Sequence, residues 1–140
     1  MELLIRLARQ WVAGETIEDA VRVALAANAR GIHAIVNHLG EHYREKGQVE
    51  ATVQEYLRLV SQLRAAGVDG DVSVKPTQLG LLIDKGYAFS HILTVLDATK
   101  AWGRILWVDM EAESTVEDTI WIYENLHTRY ERVGLCIQAN

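Results

Sequence analysis

The chain has 140 residues, 49% apolar and 24% charged, which is the balance of one globular domain and excludes a disordered or fibrous chain. With 19 acidic and 14 basic residues its formal charge is −5, which disfavours non-specific binding to nucleic acid or anionic lipid. The one cysteine, Cys136, excludes an internal disulfide framework and fits a reducing, cytoplasmic setting.

Leu4, Leu7, Ala8 and Trp11 share one helical face, while Glu2, Arg6 and Arg9 break the apolar run before it reaches signal-peptide or membrane-span length. A short packing helix is expected there, with at most peripheral membrane contact. Thr16 and Asp19 resemble a capping box, opening a second helix that carries Ile17, Ala20, Val21, Ala24 and Leu25 and stops near Gly31. Gly31 to Val36 reads as a buried strand running into a functional loop at Asn37. The next helix places Val53, Tyr56, Leu57, Val60 and Leu63 on one face and ends at Gly67, a natural C′ residue.

Asp71 to Lys75 is a strand, followed by a helix with Phe89, Ile92, Leu93 and Leu96 that ends before Gly103. Ile105 to Asp109 forms the third strand. Ser114 and Glu117 make a capping pair for a helix bearing Val116, Ile120, Tyr123 and Leu126, and Gly134 to Gln138 closes as a strand. Alternating strands and helices of this length imply right-handed crossovers and a parallel sheet within a single unit spanning 1–140, helical to about residue 30.

Period-2 alternation puts Ala34, Val36, Val72, Val74, Leu106, Val108, Leu135 and Ile137 on one face, expected to pack on the helices. The other face carries Ile35, Ser73, Trp107 and Cys136 and ends in Asn37, Lys75, Asp109 and Gln138. Each strand therefore finishes on a polar residue, and the C-terminal ends of parallel strands are where ligands bind. This rim suits a zwitterion or a heterocycle; alternatively, Lys75 and Asp109 pair as a buried salt bridge across neighbouring strands.

No metal site is expected. His33 falls in a strand and His38 and His42 in the loop after it, without a ligand motif, so they read as solvated or capping histidines. The glycines are dispersed with no phosphate-cradling run, and Ser73 and Ser114 lack a nucleophile context. Trp102, Trp107 and Trp121 read as packing residues.

The stretches Asn37-His38-Leu39-Gly40-Glu41, Val72-Ser73-Val74-Lys75-Pro76-Thr77-Gln78-Leu79-Gly80-Leu81, Trp107-Val108-Asp109-Met110-Glu111 and Gly134-Leu135-Cys136-Ile137-Gln138-Ala139 resemble, in order and spacing, the first four strand-end motifs of the FAD-dependent proline dehydrogenases. The resemblance runs from about Val12 to the terminus. It implies the N-terminal half of a (β/α)8 TIM-type barrel, four parallel strands alternating with helices and preceded by two N-terminal helices. It further implies a flavoprotein oxidoreductase of proline catabolism, which takes L-proline to Δ1-pyrroline-5-carboxylate and passes electrons to a quinone.

Residue by residue, Lys75 is similar to the lysine that meets the substrate carboxylate, and Asp109 resembles an active-site aspartate. Met110 matches a flavin-contacting position and Gln138 the glutamine that hydrogen-bonds the flavin ring. Two positions depart from the pattern: Asn37 stands where related sequences often have aspartate, and Pro76 where leucine is usual. The family's paired arginines for the carboxylate, its tyrosine lid and most FAD contacts would fall beyond residue 140. Activity is therefore expected only with a missing C-terminal half-barrel or a homo-oligomer partner. The rival expectation is a non-catalytic half-barrel serving as an oligomeric structural or binding protein.

Overall fold

A computed structural model of the chain describes residues 12–138, so the expected first helix, with Leu4, Leu7, Ala8 and Trp11, lies outside the described residues. Within them the order is α1 (Ile17–Asn28), β1 (Ala34–Val36), α2 (Lys46–Ala65), β2 (Gly70–Val74), α3 (Lys85–Trp102), β3 (Leu106–Asp109), a 3-10 turn (Glu113–Thr115), α4 (Val116–His127) and β4 (Val133–Cys136). The strands form one sheet in the order β1-β2-β3-β4, every neighbouring pair parallel. This is half of a TIM-type α/β barrel, with the helices outside and the would-be lumen open on the other face.

Three helices end in the same way for a local reason. Past α1, α2 and α3 stand Gly31, Gly67 and Gly103, equally spaced in the chain, with φ of 74°, 69° and 79°. Each lies in a Schellman motif: Ile32 N–H donates to Ala27 O at 3.0 Å, Val68 N–H to Leu63 O at 3.0 Å and Arg104 N–H to Thr99 O at 3.2 Å. A Cβ at any of the three would meet nothing within 4 Å, so it is the left-handed backbone and not crowding that favours glycine. Each motif delivers the chain into the next strand. At the other end, Thr16 accepts from Asp19 N at 3.1 Å and Asp84 from Tyr87 N at 2.8 Å, capping α1 and α3.

The core lies between sheet and helices. Val72, Val74, Leu106 and Val108 are fully buried beneath Tyr56 and Leu63 of α2, Ile92 and Leu96 of α3, and Ile122 and Leu126 of α4. Burial fades towards both edges, where Ala34, Val36 and Leu135 are only partly covered.

Several local expectations are corrected. The strands at both edges are shorter than the apolar runs, so Ile137 lies past β4 and is 74% exposed instead of joining the core. The Ser114–Glu117 capping pair does not form. Ser114 sits inside the 3-10 turn and Thr115 takes the N-cap without a side-chain bond, which moves the buried line to Thr115, Thr119, Ile122 and Leu126 and turns Ile120 outward. In α2 Leu59 is buried where Leu57 is only partly so.

Candidate functional site

Lys75 directly follows β2, Asp109 ends β3, Met110 follows it, and Gln138 lies two residues past β4, so all four expected site residues stand at the C-terminal rim. Asn37, just past β1, is exposed at the same end. After β2 the chain turns at once. Gln78 N–H donates to Lys75 O at 3.0 Å around Pro76 and Thr77, which puts proline at the second position of a β-turn, where its fixed φ is pre-set. That turn accounts for Pro76.

The rim residues form two groups. On the β1–β2 side, Lys75 Nζ pairs with Glu41 Oε2 at 3.3 Å, with Lys75 partly buried and Glu41 half exposed. On the β3–β4 side, Ser73 Oγ donates to Asp109 Oδ2 at a long 3.4 Å, Met110 N–H donates to Cys136 O at 3.1 Å, and Gln138 Nε2 donates to Met110 O at 2.9 Å. Partial burial together with the neighbouring Asp109 carboxylate pushes the Cys136 thiol up. The Lys75–Asp109 salt bridge does not form: the lysine turns to the loop after β1, while the aspartate faces Ser73 and Cys136. An ammonium with one long contact and a carboxylate held by weak neutral donors can both exchange partners for a ligand at small cost.

Beneath the rim lies a layer that the strand-end motifs contained without revealing its roles. Thr77, fully buried, donates from N and Oγ1 to the two oxygens of Glu111 at 2.9 and 2.6 Å. Its own Oγ1 and O accept from His42 N at 3.0 Å and Tyr43 N at 3.0 Å. Thr77 thus ties the loops after β1, β2 and β3 together. Gln78, also fully buried, accepts from Tyr56 OH at 3.2 Å and donates to His38 O at 3.1 Å and His38 Nδ1 at 2.9 Å. Burial pushes the Tyr56 phenol well above its ordinary range. His38 is therefore a part-buried member of a polar network and not a solvated residue.

The opposite, N-terminal end carries the tightest charge cluster. Asp71, 5% exposed, accepts from Ile105 N at 3.0 Å, Trp107 Nε1 at 3.2 Å and His33 Nε2 at 2.9 Å. Asp69 pairs with His33 Nδ1 at 3.2 Å and Arg104 at 2.8 Å. The Asp71 hydrogen bond, with Asp69 adding to it, holds the His33 imidazole above its ordinary pKa; Arg104 first, then His33, hold the Asp69 carboxyl below its own. His33 is bonded to two carboxylates just before β1, where the sequence suggested a solvated residue inside the strand. The available signal for Asp71 was its place on the same strand face as Ser73 and Lys75.

The fold and the polar rim define half of an α/β barrel with its ligand end exposed. No family model matches the chain. Its sequence relatives are proline dehydrogenases: it is 30% identical over 132 residues to proline dehydrogenase 1 of Bacillus subtilis subsp. natto, covering 94% of this chain and 44% of the relative. It is 26% identical to proline dehydrogenase of Deinococcus radiodurans, over 95% of this chain and 44% of that one. Proline utilization A from Bdellovibrio bacteriovorus, in a crystal structure of the protein inactivated by N-propargylglycine, superposes with a TM-score of 0.84 at 20% identity, over 96% of this chain and 17% of that one. This chain is thus a relative of the proline dehydrogenases along nearly its whole length, and it spans less than half the length of the curated relatives it matches.

Proposed function

We propose that the chain is the N-terminal half of the barrel of a flavin-dependent proline dehydrogenase, acting in the oxidation of L-proline to Δ1-pyrroline-5-carboxylate once its barrel is complete, with a quinone as electron acceptor. One observation carries the reading: Lys75, Asp109, Met110 and Gln138 gather at the C-terminal ends of consecutive parallel strands, the ligand end of a barrel.

The donor set suits FAD. Among the described residues Gln138 has one N–H committed to Met110 O, with its other N–H and its carbonyl left for a ring edge, while Met110 lies beside it on the rim. FAD, when bound, supplies the hydride acceptor. Lys75 receives the proline carboxylate in exchange for Glu41, and Asp109 orients the amine end of the substrate. One half-barrel leaves the substrate uncovered on the open side, so the chain by itself is inactive.

The test joins this chain to the portion of Bacillus subtilis proline dehydrogenase 1 that it does not match, and follows flavin retention and proline-dependent bleaching. A yellow complex that proline bleaches is expected, with no bleaching by this chain alone. In that complex Lys75→Ala raises the KM for proline about 10- to 100-fold, in line with roughly 1.5–3 kcal/mol for a charged hydrogen bond, and Asp109→Ala lowers kcat more than it raises KM. A complex that folds yet holds no flavin, or flavin that proline leaves oxidised, overturns the reading in favour of a non-catalytic half-barrel.

A further inference from the structure

The loop between β1 and α2 holds two backbone positions that side chains seldom adopt. Gly40 has φ of 141°, and a Cβ there would collide with Tyr43 OH and Gln78 Nε2; His42 has φ of 60°, the one non-glycine residue at positive φ among the described residues. Thr77 holds the loop in this shape. Its Oγ1 accepts from His42 N–H and its O from Tyr43 N–H, both at 3.0 Å, and Glu41, directly before His42, is thereby brought to 3.3 Å from Lys75.

Thr77 is in turn fixed by Glu111. Its N–H and its hydroxyl donate to the two oxygens of that carboxylate at 2.9 and 2.6 Å, so the hydroxyl proton points to Glu111 and a lone pair is left for His42. A carboxylate accepts at both oxygens, whereas an amide would set an NH2 group against the hydroxyl. Glu111 stands two residues past β3, and Thr77 two residues past Lys75 in the same β-turn. The pair therefore fastens the rim of β3 to that of β2 where the lysine leaves its strand.

We propose that Glu111 is a positioning residue for the substrate carboxylate: acting through Thr77, it sets where Lys75 Nζ stands and how closely the loop carrying Glu41 approaches it. The inference rests on the reading of this rim as a proline site. Both oxygens of Glu111 are engaged by Thr77, so its effect on substrate passes through Lys75. The carboxylate of proline takes no part in the oxidation and is held alike in ground and transition state, so a displaced Lys75 raises KM and leaves kcat nearly unchanged.

The test is made in the joined complex described above, by titration with proline. Glu111→Gln is expected to raise KM about tenfold with kcat within about twofold and flavin content unchanged, and to leave KM within about twofold when added to Lys75→Ala, because the group it positions is already gone. Thr77→Val, which removes the hydroxyl at nearly constant volume, should act like Glu111→Gln, and Thr77→Ser, which keeps it, should behave as the unaltered complex. An equal rise in KM with and without Lys75, a serine variant as impaired as the valine one, or loss of flavin from both Glu111→Gln and Thr77→Val each overturns the proposal, since a residue that only sustains the fold would do these things. An unaltered complex that proline does not bleach overturns the flavin reading, and this role of Glu111 falls with it. An unaltered complex that bleaches, beside a Glu111→Gln complex of unchanged KM, overturns the role of Glu111 alone.

Discussion

The two ends of the half-barrel use charge in opposite ways. At the N-terminal end Asp71 is buried and accepts from an imidazole, an indole and a backbone amide, while Asp69 bridges His33 and Arg104. At the C-terminal end, among the described residues, Lys75 has one contact at 3.3 Å and Asp109 a hydroxyl at 3.4 Å. Both ends are polar, but only the first is closed. Saturated charges fasten the strands; under-used charges at the rim leave capacity for a ligand, the division of labour expected of a barrel.

The largest loss is expected at Asp71. Asp71→Ala strands the indole N–H of Trp107 and the amide of Ile105, and should cost about 3 kcal/mol in urea unfolding, as for buried donors left without their acceptor. A loss below about 1 kcal/mol would show that the cluster does not fasten the sheet. Gly103→Ala, in the turn that feeds β3 into the same end, should cost about 1–2 kcal/mol, the penalty of left-handed backbone for a residue with a Cβ. The same urea titration measures it.

A smaller effect follows pH. Because the folded pKa of His33 is raised, its ion-pair contribution is fully present below the unfolded value of about 6.5 and is lost as pH rises through the folded value. Asp69 works in reverse: its pKa is lowered, so its contribution is present above the unfolded value and lost as pH falls through the folded one. Melting temperature should therefore decline from slightly acid to slightly alkaline pH, and His33→Gln should flatten that slope. Smallest of all, Lys75→Ala at the open rim should change stability by less than about 1 kcal/mol, the range of exposed ion pairs. A loss as large as that of Asp71→Ala would erase the difference between the ends.

The helices, their glycine stops and the parallel order were legible because each rests on local rules: 3.6-residue spacing, alternation by two, and a left-handed turn at Gly31, Gly67 and Gly103. The rim was legible for the same reason, since strand alternation alone places Lys75 and Asp109 at strand ends. Where polar side chains form the buried line, hydropathy misled, as in α4, where Thr115 and Thr119 face inward and Ile120 outward.

Partners were another matter. Lys75 meets Glu41 and not Asp109, Thr77 joins three loops, and Asp71 gathers His33 and Trp107. Every one of these contacts joins residues about 30 to 40 positions apart, one βα unit, and a sequence without register does not say which residue of one unit faces which of the next. The chain alone determined what kind of element each segment becomes and, within the strands, which face each side chain takes. Only the tertiary structure, by setting the stagger between strands and the path of the loops above them, decided which charges are saturated and which are left free.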